Sequence, residues 1–155
     1  MAALRAHEPE ALVTFRVSVL SQLLSRVVEG AVGTELGLSS RQWRVLVMLN
    51  RLGRATSGEV ARATHLDHSQ VSRASHELLD KGLLVMSDDP EDRRRQVLSV
   101  TEAGEAVLRR GIVGSKARQA RLRSRLSDEE YAAFGRILSA LTDEAQSMID
   151  EQRER

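Results

Sequence analysis

The 155-residue chain contains no cysteine. That excludes disulfides, cysteine zinc sites, thiol nucleophiles and thiol-based redox sensing together. Aromatic residues are scarce as well, at 3%, so a core has to be built from leucine, valine and alanine. Such a core suits helices better than a β-sandwich. No apolar run approaches the roughly 18 residues of a membrane span, and the opening "MAALRAHEPE" lacks the apolar centre of a signal peptide. The expectation is a soluble cytoplasmic protein with no membrane partner. Catalytic signatures are missing too: there is no phosphate-cradling glycine loop and no H-E-x-x-H helix. Carboxylates are plentiful, but nothing pairs them in a buried site. Neither enzyme activity nor a cofactor is expected.

What is present is charge, unevenly placed. The net charge is only +1, but residues 41–126 hold 17 basic and 10 acidic residues, while residues 127–155 hold 3 basic and 8 acidic ones. A local basic stretch between acidic ends is what a phosphate-binding surface requires.

The periodicity predicts mostly helix. Residues 10–32 place Leu12, Phe15, Val19, Leu23 and Val27 at helical spacing, and "GTELGLSS" is expected to break that helix. Ser39 with Gln42, Thr56 with Glu59, and Ser127 with Glu130 each read as a capping box opening a further helix. Asp67 is a cap for "HSQVSRASHELLDK", which Lys81 and Gly82 close. "LLVMS" and "QVLSV", on either side of an acid- and arginine-rich turn, read as a β-hairpin. A long basic helix starts at Thr101, with glycines that allow a bend. The last helix steps through Tyr131, Phe134, Leu138, Leu141, Ala145 and Met148, a heptad seam that needs a partner.

Helix, helix, turn, helix and β-hairpin in that order make a winged helix-turn-helix. In its turn His65 stands where glycine is usual; histidine tolerates a left-handed backbone better than most residues. With Val71, Ala74, Leu78 and Leu79 inward, the outer face of the second helix offers His68, Ser69, Gln70, Ser72, Arg73 and His76. A helix with such groups can enter a major groove and read base edges. His65, His68 and His76 are not expected to hold a metal, because zinc takes about four converging ligands and these histidines lie where a nucleic acid would.

"DPEDRRRQVLSVTEAG" closely resembles the wing of the MarR (multiple antibiotic resistance regulator) family, whose pattern is Asp-x-Arg followed by Leu-Thr and a helix. Here it reads Asp92, Arg93, Arg94, then Val100 and Thr101, with valine in place of leucine. "LGLSSRQWRVLVML" and "LDHSQVSRASHELLDKGLL" resemble the family's second helix and its recognition helix. The resemblance covers nearly the whole chain and implies a sequence-specific regulator of transcription, most simply a repressor. It implies that Arg94 enters a minor groove, that Arg93 and Arg95 meet neighbouring phosphates, and that Asp92 braces the wing. A narrow minor groove has enhanced negative potential and favours arginine. Asp88, Asp89 and Glu91 are expected on the far side of the turn, limiting non-specific affinity.

The fold expected is mainly α with a small β-hairpin wing: a winged helix-turn-helix at 36–100 and helical dimerisation segments at 8–32 and 101–155 of one chain. A homodimer follows from Leu12, Phe15 and Val19 at one end and Tyr131, Phe134, Leu138, Leu141 and Met148 at the other, which are too apolar to face water. Two-fold symmetry then suits a pseudo-palindromic duplex. The resemblance also implies a small effector, often an aromatic acid, for which Arg16 and Trp43 are the candidate contacts. The alternative is a helical dimeric adaptor that binds protein and has no use for Arg93, Arg94 and Arg95.

Overall fold

The structure, a computed structural model, describes residues 9–92 and 94–154. A 3-10 turn, Pro9–Ala11, leads into α1 (Val13–Leu36). Then come α2 (Ser40–Leu52), β1 (Arg54–Ala55), α3 (Ser57–Thr64), α4 (His68–Asp80), β2 (Leu84–Asp88), β3 (Gln96–Val100), α5 (Glu102–Arg123) and α6 (Asp128–Arg153). The chain forms two compact units that divide within α5, between Ile112 and Val113.

The predicted caps explain most helix starts. Ser39, Thr56 and Ser127 each accept the N3 amide while Gln42, Glu59 and Glu130 reach back, three closed capping boxes. Asp67 accepts the Gln70 N–H at 2.8 Å. At the head of α5 the Thr101 hydroxyl accepts the Gly104 N–H at 3.1 Å and donates to the Gly82 carbonyl at 2.7 Å.

Three expectations change. The first helix runs past residue 32 to Leu36 and stops at Gly37, inside the stretch expected to break it, with a left-handed φ of 67°. A glycine inside a helix costs only about 1 kcal/mol, whereas a reversal of direction needs the conformation glycine provides. The wing is not a bare hairpin either. The two-residue β1 joins it, giving the antiparallel order β1-β3-β2 with Ala55 opposite Leu98. Strand β2 also begins one residue later than the apolar run suggests.

In the first unit Val45, Leu46 and Leu49 of α2, Val60 of α3, Val71 and Leu78 of α4 and Leu98 of β3 are buried completely or nearly so. Each such side chain contributes on the order of 1.5–3 kcal/mol through burial. Ala61 and Ala74 are small enough to let α3 and α4 pack closely, and both are buried. Gly104 and Gly111 let α5 lie flat: a Cβ at Gly104 would strike the Leu83 carbonyl, and one at Gly111 would strike the Trp43 ring.

In the second unit α6 has no buried residue. Phe134, Ile137 and Met148 are 40%, 55% and 54% exposed, a level at which apolar rings and chains along 26 residues stand open to water. The hairpin into α6 is tied by Arg123, which reaches the Leu126 carbonyl and Asp128 and lies 4.6 Å over the Tyr131 ring. Along α1 of the first unit only Val32 is buried, while Phe15, Val19 and Leu23 are open.

Candidate nucleic-acid interface

The short α3 and α4 are joined by the turn at His65, whose φ of 52° and ψ of 31° place it in the left-handed region. It is the only non-glycine residue with positive φ among the described residues. Burial of Val71, Ala74 and Leu78 fixes which way α4 faces, and Leu79 packs against the same core. Ser75 is buried with them and was not anticipated; its Oγ has no hydrogen-bond partner among the described residues.

The six candidate residues of α4 are not equivalent. His68, Ser69, Arg73 and His76 are exposed, whereas Gln70 and Ser72 are half-buried. The Ser69 hydroxyl donates to Asp67 Oδ1 at 2.6 Å, so its hydrogen serves the cap and its lone pairs remain. That bond and the Gln70 N–H hold the Asp67 carboxyl below the usual range. His76 Nδ1 lies 2.8 Å from the Ser72 carbonyl. In a neutral ring donating there, Nε2 is an acceptor, suited to an exocyclic amine on a base edge. No carboxylate among the described residues lies within ion-pair distance of Arg73 or Arg94.

The wing turn is built by its own acids. Asp92 accepts the Arg94 N–H on Oδ1 at 3.0 Å and the Arg95 N–H on its backbone carbonyl at 2.8 Å. Asp89 accepts the Glu91 N–H at 3.1 Å and lies 3.9 Å from Arg95 Nε. It therefore works inside the wing, where it was expected on the far side of the turn. Arg95 also approaches Glu59 of α3 at 3.6 Å, so two carboxylates share the guanidinium expected on a phosphate. Glu59 is held below the ordinary carboxyl range, first by the Thr56 backbone N–H and then by its hydroxyl. The Arg54 guanidinium of β1 donates to Ser87 of β2 at 3.0 Å. Arg93 lies outside the described residues.

The two effector candidates are not brought together in one chain. Trp43 is 8% exposed, its ring over Gly111 near Leu36. Arg16 is exposed twenty residues before Leu36 on the same helix, a separation of about 30 Å at 1.5 Å per residue. An open polar cavity does lie between α1 and α2, lined by Ser25, Glu29, Ser40, Arg41, Arg44 and Leu66. No group of three or more metal-ligating side chains converges among the described residues. No helix among them is long and apolar enough to cross a membrane.

Known proteins share this fold. The model of the MarR family matches residues 36–95, from the end of α1 through the wing turn. The HTH-type transcriptional repressor MdtR of Bacillus subtilis is 31% identical over 117 residues, covering 72% of this chain and 76% of that protein. Among solved structures, Bordetella bronchiseptica BpsR, whose DNA binding is regulated by 6-hydroxynicotinic acid, superposes with a TM-score of 0.80. It is 22% identical and covers 88% of this chain and 97% of its own. A MarR/EmrR family regulator from Acinetobacter sp. ADP1 gives 0.82 at 19% identity over 86% and 94% of the two chains. At those identities the two structures speak for the fold, while the match to MdtR speaks for kinship. The chain belongs to the MarR family of winged helix-turn-helix transcriptional regulators.

Proposed function

We propose that the protein is a homodimeric repressor that holds a pseudo-palindromic operator and lets go when a small aromatic acid binds. The observation that carries this reading is the exposed stripe Ser69, Arg73 and His76 on a helix whose opposite face is core, with the wing's Arg94 free of any carboxylate among the described residues. The α4 stripe reads base edges in the major groove, Arg94 enters the minor groove, and Asp92 holds the turn that presents it. Arg93 and Arg95 are assigned to flanking phosphates, Arg95 while still leaning on Glu59. A regulator of this kind works in the cytoplasm and needs neither cofactor nor catalytic step.

The dimer is inferred from the apolar faces of α1 and α6, which a monomer would leave in water. A second copy covers Leu12, Phe15 and Val19 and, separately, Tyr131, Phe134, Leu138, Leu141 and Met148. Two recognition helices about 34 Å apart then meet successive major grooves. The repressor sense is supported by the kinship with MdtR, and the class of effector by the behaviour of BpsR. Arg16 and Trp43 remain its proposed contacts; because they lie far apart in one chain, a pocket using both takes them from different chains.

Fluorescence anisotropy tests the reading. A labelled duplex from upstream of the protein's own gene is titrated against a scrambled duplex, then 6-hydroxynicotinate and related acids are added to the complex. Preferential binding followed by release is the expected outcome. Equal binding to both duplexes at all salt concentrations contradicts sequence-specific reading of that duplex.

A further inference from the structure

The recognition helix is bonded to the elbow between α1 and α2 by polar contacts that core packing does not require. Gln42, in the first turn of α2, is only 6% exposed, yet both ends of its amide are used. Its Oε1 accepts the Ser39 N–H at 2.9 Å, and its Nε2 donates to Glu77 Oε2 of α4 at 2.5 Å. The Ser39 N–H needs an acceptor and the Glu77 carboxylate can take a donor, and a primary amide supplies both from one planar group. Four residues beyond Glu77, the Lys81 ammonium donates to the Gly37 carbonyl at 3.3 Å, at the residue that ends α1. On the other side of the elbow, Glu29 of α1 accepts the Ser40 N–H at 2.6 Å. Helix α1, the first turn of α2 and the C-terminal half of α4 therefore form one hydrogen-bonded series.

Apolar burial of Val71, Ala74 and Leu78 fixes which face of α4 turns inward, and polar contacts of exact geometry add a finer constraint on its roll. Hydrogen bonds are directional and resist that roll. Glu77 and Lys81 sit just beyond the segment that carries Arg73 and His76, so the bonds at 77 and 81 set the angle of those side chains to a groove. We propose that Gln42 and Glu77 are positioning residues for sequence reading, their amide–carboxylate link, backed by Lys81 and Gly37, fixing the roll of the recognition helix. This rests on the DNA-binding reading above.

The test exchanges the two groups. Gln42→Glu keeps an acceptor for the Ser39 N–H but sets a carboxylate against Glu77. Adding Glu77→Gln returns a donor from the other side. Hydrogen exchange of the α4 amides is measured without DNA, and the affinity ratio for the upstream over the scrambled duplex is measured with it. Gln42→Glu is expected to speed exchange in the C-terminal half of α4 by about tenfold and to lower the affinity ratio by about fivefold, with the double variant recovering both. Exchange at the wild-type rate in Gln42→Glu, or no recovery in the double variant, overturns the proposal. If Gln42→Glu does not fold, Glu77→Leu at the exposed end removes the same bond, and unchanged exchange there has the same force. Because exchange needs no DNA, a wild-type protein that cannot tell the two duplexes apart counts against the DNA reading alone.

Discussion

Arg95 of the wing and Glu59 of α3 lie 3.6 Å apart, and the Asp89 carboxylate is 3.9 Å from the same guanidinium. The arginine is half exposed, so such pairs contribute only about 0–1 kcal/mol each to stability. Their effect is geometric: they hold the wing against the helix-turn-helix while Arg94, one residue earlier, stays free. Arg94→Ala is expected to cost about 1–3 kcal/mol of operator affinity with Tm unchanged. Arg95→Ala costs less, and Glu59→Gln, which keeps the Thr56 cap, reproduces part of that loss. Binding isotherms of the three variants check this. Wild-type affinity in Arg94→Ala would contradict the wing assignment.

Gly111 and Gly104 are predicted to tolerate no side chain. Alanine at either meets the Trp43 ring or the Leu83 carbonyl, neither of which can move without shifting a helix or strand. Each substitution should destabilise the protein by about 1–3 kcal/mol, read as a lower urea midpoint. A neutral Gly111→Ala would mean that α5 does not cross Trp43 so closely.

Ser75 offers the opposite sign. Its hydroxyl is buried and unpartnered among the described residues, and such a group carries a desolvation cost of about 1–3 kcal/mol. Ser75→Ala should leave stability unchanged or raise it, without altering DNA affinity. A clear loss in chemical denaturation would show that the hydroxyl has a partner.

Acid should weaken the fold through its caps. Glu59 is held low by Thr56, Glu130 by the Ser127 N–H and then its hydroxyl, and Glu29 by the Ser40 hydroxyl and then its N–H. A carboxyl depressed in the folded state contributes stability above its unfolded pKa of about 4 and loses it as pH falls through the folded value. Tm should therefore be level from neutral to mildly acidic pH and fall below about pH 4. Glu59→Gln, which keeps an acceptor but cannot titrate, should flatten part of that fall; an identical profile would contradict it.

Much of this was legible in the sequence, for a physical reason. Capping boxes are local: Ser39 with Gln42, Thr56 with Glu59 and Ser127 with Glu130 need only three-residue spacing, and all three close. The inward set Val71, Ala74 and Leu78 follows from helical period alone. What was missed depends on distant partners. Strand β1 has two residues and exists because Ala55 meets Leu98. The second bond of Gln42 needs Glu77, 35 residues away. The pairing of Arg95 with Glu59 joins a turn to a helix that no local pattern connects. The stretch that ends α1 was legible, but Gly33 and Gly37 look alike in sequence, so which of the two turns the chain was not.

Because α6 has no buried residue within its chain, Phe134→Asp should shift the protein towards monomer in sedimentation at micromolar concentration without melting the winged unit. It should also weaken operator binding steeply, since one half-site is lost. A dimer that persists in Phe134→Asp, or a wild-type monomer, would contradict the inference.

The central claim is that two copies of this chain read one duplex. Its most direct test is analytical ultracentrifugation of the protein with a labelled duplex from upstream of its own gene, in the presence of excess scrambled competitor. A complex of two chains per duplex that survives the competitor is expected. A duplex that sediments alone even at low salt would contradict it, and would move the winged unit to a protein-binding role in which Arg94 has no use.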